Sequence, residues 1–169
     1  ETYTILIMAV KGRVRSLYGW LEWVGSLKLR SSVMGMYTQI YVKATFKENL
    51  SDNVVNIIKY MLNMDDIKLE DLDLPNHPLF KTDRWEWMLQ SSSFYHIPFA
   101  VNRFEYNEIS KNYYLIAVAD FKNYDGEIGK FFDWISPHVE KDGDKTFMGY
   151  SLYEEDDEPK LYYVEGYDL

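Results

Sequence analysis

The 169-residue chain contains no cysteine. That absence removes disulfides, thiolate nucleophiles and cysteine metal sites together, and it favours a reducing compartment, with the cytoplasm as the default. Histidine is scarce as well. His77, His96 and His138 are the only three, and no His-Glu-x-x-His spacing occurs, so they read as loop or helix-end residues rather than ligands. The apolar run near the start, Ile5 to Val10, is too short to span a bilayer, and no basic segment precedes it as a secretory signal requires. No membrane partner is expected. The chain opens on Glu1 rather than Met, which reads as a trimmed start. Gly-x-Ser-x-Gly, a phosphate loop and a dinucleotide fingerprint are all missing, so no cofactor is expected and no reaction is named.

What is plentiful is aromatic mass. Fifteen Tyr, nine Phe and five Trp make up 17% of the chain, while the mean hydropathy of −0.36 shows that many of these rings sit among polar residues and reach the surface. With 47% hydrophobic residues the chain can bury a substantial core, and its length fits one domain over residues 1–169. The net charge of −9 is unevenly spread: residues 1–35 carry +3 through Lys11, Arg13, Arg15, Lys28 and Arg30 against Glu1 and Glu22, which leaves −12 for the rest. A field of that sign opposes phosphate backbones and favours cationic partners. No direct nucleic acid binding is expected.

One pattern occurs twice. Ala44-Thr-Phe-Lys-Glu48 leads into a helical stripe from Ser51, and Ala119-Asp-Phe-Lys-Asn123 leads into another from Asp125. Aligned in this way, Val54 matches Ile128, Ile57 matches Phe131, Ile58 matches Phe132, Tyr60 matches Trp134 and Met61 matches Ile135. Ser51 and Asp125 are the predicted caps. Alternation from Met36 to Phe46 predicts a half-buried strand. Phe99 to Glu108 and Lys111 to Phe121 predict a hairpin whose second strand, apolar on both faces, is central. Thr82 to Leu89 reads as a short helix, Asp65 to Pro78 as an acidic loop, and Thr146 to Tyr153 and Lys160 to Glu165 as the last two strands. In residues 1–35, Tyr3 to Val10 alternates as a buried strand, and Gly19 and Gly25 break any helix through Leu17 to Leu29.

The order strand, helix, strand, strand, helix, strand predicts an α+β fold with a ferredoxin-like βαββαβ core over residues 36–153. Residues 1–35 then form a basic N-terminal extension packed on or beside that core, and residues 154–169 a C-terminal strand. The segments Lys122 to Ile135 and Arg84-Trp-Glu-Trp87 to Ser91-Ser-Ser-Phe-Tyr95 resemble those of small bacterial and bacteriophage proteins of unknown function, over residues 36–169. The resemblance implies a bacterial or phage cytoplasmic protein and brings no catalytic residues with it.

Chemistry-bearing residues are few. Asp65, Asp66, Glu70, Asp71 and Asp73 lack the glycine and terminal glutamate of a calcium loop, and a solvated acidic loop is the simpler reading; no metal site is expected. Gly126-Glu-Ile-Gly129 has the outline of a glycine clamp for nucleic acid, with an acidic and an apolar residue where phosphate binding wants positive charge. The aromatic interleaving of Lys111 to Phe121 resembles the stacking strand of RNA-binding modules without its glycine or basic start, and core packing accounts for it. Tyr37 and Tyr41, by contrast, fall on the polar face of their strand. With Trp85, Trp87 and the acidic turn Glu154, Glu155, Asp156 and Asp157, they are the candidate partner-binding residues, since Tyr and Trp anchor interfaces; cover by residues 1–35 is the alternative for the tyrosines. The expectation is therefore a non-enzymatic acidic module that binds a basic protein, its most specific form a phage-encoded inhibitor of a nucleic-acid-binding host protein. A small hydrolase or nuclease using a divalent metal, and a self-associating structural module forming a homo-oligomer, are the alternatives.

Overall fold

The computed structural model describes residues 36–165; the strand and breakers read in residues 1–35 lie outside them. Five strands and two helices follow one another as β1 (Thr38–Thr45), α1 (Asp52–Met61), β2 (Val101–Asn107), β3 (Asn112–Phe121), α2 (Glu127–Ile135), β4 (Lys145–Tyr153) and β5 (Lys160–Glu165). The strands make one antiparallel sheet in the order β2-β3-β1-β4-β5. This corrects the ferredoxin-like βαββαβ expectation: the protein is α+β, two helices on a five-stranded antiparallel sheet. Two features were invisible in the repeat. β5 hairpins onto β4 and makes β4 an interior strand, and the stretch between α1 and β2 holds three short 3-10 turns, Leu69–Asp71, Pro78–Lys81 and Trp85–Trp87, in place of a simple connection.

The local elements follow from the residues. Period-two alternation puts Thr38, Ile40, Val42 and Ala44 of β1 on the buried face, and the same parity buries Leu115, Ala117, Ala119 and Phe121 of β3. Both helices lie against that face, because Val54, Ile57, Ile58 and Met61 of α1 and Ile128, Phe131, Phe132 and Ile135 of α2 join those strand residues in one core. The repeated stripe is thus the core, with Tyr60 packed at its margin. β3 is interior, though the middle of the sheet belongs to β1.

The two helix starts differ. The Ser51 hydroxyl accepts from the Val54 amide at 3.4 Å as predicted. Asp125 is not the cap of α2. Gly126, at φ +67°, takes that position without a side-chain bond, while Asn123 Oδ1 accepts from the Ile128 amide at 3.0 Å and Glu127 Oε2 from the Asp125 amide at 2.9 Å. The helix read over Thr82 to Leu89 is also corrected, to the single 3-10 turn Trp85–Trp87. It packs on α1, and the turn Pro78–Lys81 packs on α2. Phe80 bridges them, its ring 4.9 Å from that of Trp85 and 5.2 Å from that of Trp134, both edge-on. Tyr60 joins this cluster and donates to Glu86 at 2.5 Å, a bond that, with burial, pushes its phenol up to about 12.

Candidate functional site

Among the described residues both helices lie on one face of the sheet, and the other face presents its side chains for contact. Strand parity places Tyr41 and Lys43 of β1, Tyr114 and Ile116 of β3, Phe147 and Tyr150 of β4, and Leu161 and Tyr163 of β5 there. The Tyr41 ring stacks on Tyr150 at 5.3 Å and on Phe147 at 6.4 Å, and Phe147 meets Tyr163 edge-on at 5.6 Å. Burial, with Tyr41 beside it, raises the Tyr150 phenol above its ordinary value. The row ends in Lys145, whose Nζ lies 4.2 Å from the Tyr163 ring centroid. Ile116 and Leu161 remain nearly half exposed on the same face, so it offers aliphatic as well as aromatic surface for contact.

A second cluster sits where β3 ends and β1 begins. A cleft of about 260 Å³ is lined there by Tyr37, Arg84, Trp87, Ser91, Asp120 and Lys122. Tyr37 and Glu154 hold each other: the Tyr37 amide donates to Glu154 Oε2, and the Glu154 amide to the Tyr37 carbonyl, each at 3.1 Å. The Tyr95 hydroxyl donates to the Glu154 carbonyl at 2.7 Å, and Lys122 lies 5.1 Å from the Tyr37 ring centroid.

Asp120 anchors this end. It occupies the repeat position of Thr45 yet is fully buried, because the segment Ser91 to Ile97 folds over it. Its amide donates to the Ser91 carbonyl, and its Oδ2 accepts from the amides of Ile97 at 2.9 Å and His96 at 3.3 Å. Among the described residues Asp120 Oδ1 and His96 Nε2 are buried without a hydrogen-bond partner. Burial pushes the Asp120 carboxyl above its ordinary value, against the lowering effect of the Ile97 amide and His96. A carboxyl raised on folding adds stability fully present below its unfolded value and lost as pH rises through its folded value. Asp120→Ala strands the two amides and is expected to lower stability by about 1 to 3 kcal/mol. Asp120→Asn keeps an acceptor and sheds the buried charge, so its stability relative to the native chain is expected to improve between pH 4 and pH 7 in urea unfolding; a relative loss over that interval would contradict this account.

Of the predicted residues, Tyr37, Trp87 and Glu154 converge on this end of the sheet, Tyr37 and Trp87 as walls of the cleft. Trp87 is half exposed, whereas Trp85 is buried in the helix layer and offers nothing to a partner. Tyr41 belongs to the aromatic row instead. Glu155, Asp156 and Asp157 stand exposed on the turn between β4 and β5. Tyr162, opposite in parity to Leu161 and Tyr163, stacks on Phe132 at 4.0 Å on the core side. In the acidic loop Asp65 pairs with Lys59 at 2.9 Å and Glu70 with Lys68 at 3.7 Å. Among the described residues no three His, Asp or Glu side chains gather to hold a metal ion, and no helix is long and apolar enough to cross a membrane. Phe147, Tyr150 and Tyr163 were missed in the sequence; their alternation with Thr146, Ser151 and Tyr162 is the signal that could have found them. No family model, curated protein or solved structure matches this chain.

Proposed function

We propose that this protein is a non-enzymatic binding module for a basic polypeptide, engaged through its tyrosine surfaces and the acidic turn Glu154 to Asp157. The observation that carries the reading is what the tyrosines already hold. Among the described residues Arg84, Lys122, Lys145 and Lys160 lie over the rings of Tyr124, Tyr37, Tyr163 and Tyr162, 4.7, 5.1, 4.2 and 5.1 Å from the centroids. These ring faces are cation receivers, and the acidic turn adds charge of the matching sign. A cytoplasmic, phage-encoded inhibitor that occupies a basic nucleic-acid-binding host protein is the most specific form of this reading.

A lysine- and arginine-rich peptide titrated into the full chain tests it by calorimetry. Binding is expected, weakening as salt rises, and neutralising Glu154, Glu155, Asp156 and Asp157 to the amides should weaken it about tenfold, the sum of four modest exposed pairs. Absence of binding at low salt, or an affinity indifferent to the four substitutions, would refute the proposal.

A further inference from the structure

Among the described residues β2 is an edge strand that pairs only with β3, and of its seven residues Phe104 alone is buried. Its other edge therefore presents a row of backbone donors and acceptors that, among the described residues, no strand takes. β2 has no proline, no bulge and no lysine, and its two charged residues, Arg103 and Glu105, are of opposite sign, so they do not repel a second strand as charges of one sign would. Apolar groups are exposed on and around it, with Phe99, Val101, Tyr106 and Ile116 all more than a third accessible.

The residues of β2 are arranged symmetrically about Phe104. Arg103 and Glu105 flank it, both on the sheet face away from the helices, opposite Ile116 and Tyr114 of β3. Within one chain they bond to each other at 2.7 Å, both well exposed. We propose that β2 pairs with β2 of a second copy, antiparallel about a two-fold axis at Phe104, to make one continuous ten-stranded sheet. In that register Arg103 of each copy stands opposite Glu105 of the other, so the two-fold supplies two cross-strand ion pairs. The register holds whichever backbone groups point outward: either Phe104 forms the hydrogen-bonded pair, or Arg103 and Glu105 do. Slipping it to the nearest alternatives of the same parity sets Arg103 against Arg103 or Glu105 against Glu105, which like-charge repulsion disfavours. The inference does not rest on the basic-partner reading, which concerns the far end of the sheet and its turn.

Sedimentation equilibrium of the full chain tests the pairing. The native chain is expected to dimerise. Arg103→Glu and Glu105→Arg should each weaken the dimer about tenfold, since two opposite-charge contacts become two like-charge ones. The double variant R103E/E105R should regain the native affinity with itself, while associating about tenfold more weakly with the native chain. A native chain that sediments as a monomer at every concentration overturns the proposal. So do single variants that dimerise as the native chain does, and a double variant that fails to recover.

Discussion

Gly149→Ala is expected to lower the unfolding free energy by about 3 kcal/mol or more, an effect out of proportion to one methyl group. Gly149 lies opposite Val42 on β1 and Tyr162 on β5, at the shift of register that separates it from Phe147. Its φ of +154° belongs to a region that side chains rarely adopt. A Cβ there would come 2.0 Å from the Tyr41 carbonyl oxygen and 2.9 Å from Cζ of Phe132. The first of these contacts is with backbone, so relief requires β1 itself to move and breaks the ladder at the centre of the sheet. Urea unfolding reads the loss directly, and an unchanged midpoint would show that the strands are not this close.

Phe131→Ala should cost about 3 to 5 kcal/mol, the range for removing a buried phenyl group. Phe131 has no exposed surface, and its ring meets those of Phe132 at 5.6 Å and Trp134 at 6.1 Å. Surrounding residues on the sheet are held by their own ladders and cannot collapse into the space. Ile57, its counterpart in the repeat and equally buried, should lose about 2 to 5 kcal/mol as Ile57→Ala. Glu155→Gln on the exposed turn should stay within about 0.5 kcal/mol. Equal midpoints for Phe131→Ala and Glu155→Gln would dissolve the assignment of core and surface.

Periodicity carried the elements well, because alternation and the helical stripe report burial directly: β1, the β2–β3 hairpin, β4, β5 and the buried positions of both helices were legible. Relations between distant residues were not. Asp125 has the chemistry of a cap, yet Asn123 and Gly126 take over the start of α2 through a turn whose geometry no local preference encodes. Trp85 and Trp87 are indistinguishable by type, and only the packing of their 3-10 turn against α1 buries the one and exposes the other. Asp120 occupies a position that parity assigns to solvent, and it is buried by a segment more than twenty residues earlier. Of the candidate site, Tyr37, Trp87 and Glu154 could be singled out by residue type alone, while the aromatic row around Tyr41 needed the strand register. The ferredoxin-like assignment rested on element order, and the fifth strand and the long 3-10 stretch lay outside what order conveys.

The central place of β1 shapes how the molecule is made. It is the earliest of the five strands along the chain, and both of its neighbours, Asn112–Phe121 and Lys145–Tyr153, come much later. The β2–β3 and β4–β5 hairpins close locally, but β1 joins them only through long loops, whose closure slows folding. On a ribosome moving at about ten residues per second, β1 emerges several seconds before its second neighbour has been synthesised. Before those two neighbours are made Gln39-Ile-Tyr-Val-Lys43 is a β-prone segment without them, and a charge such as Lys43 at the end of a run of this kind opposes association between copies.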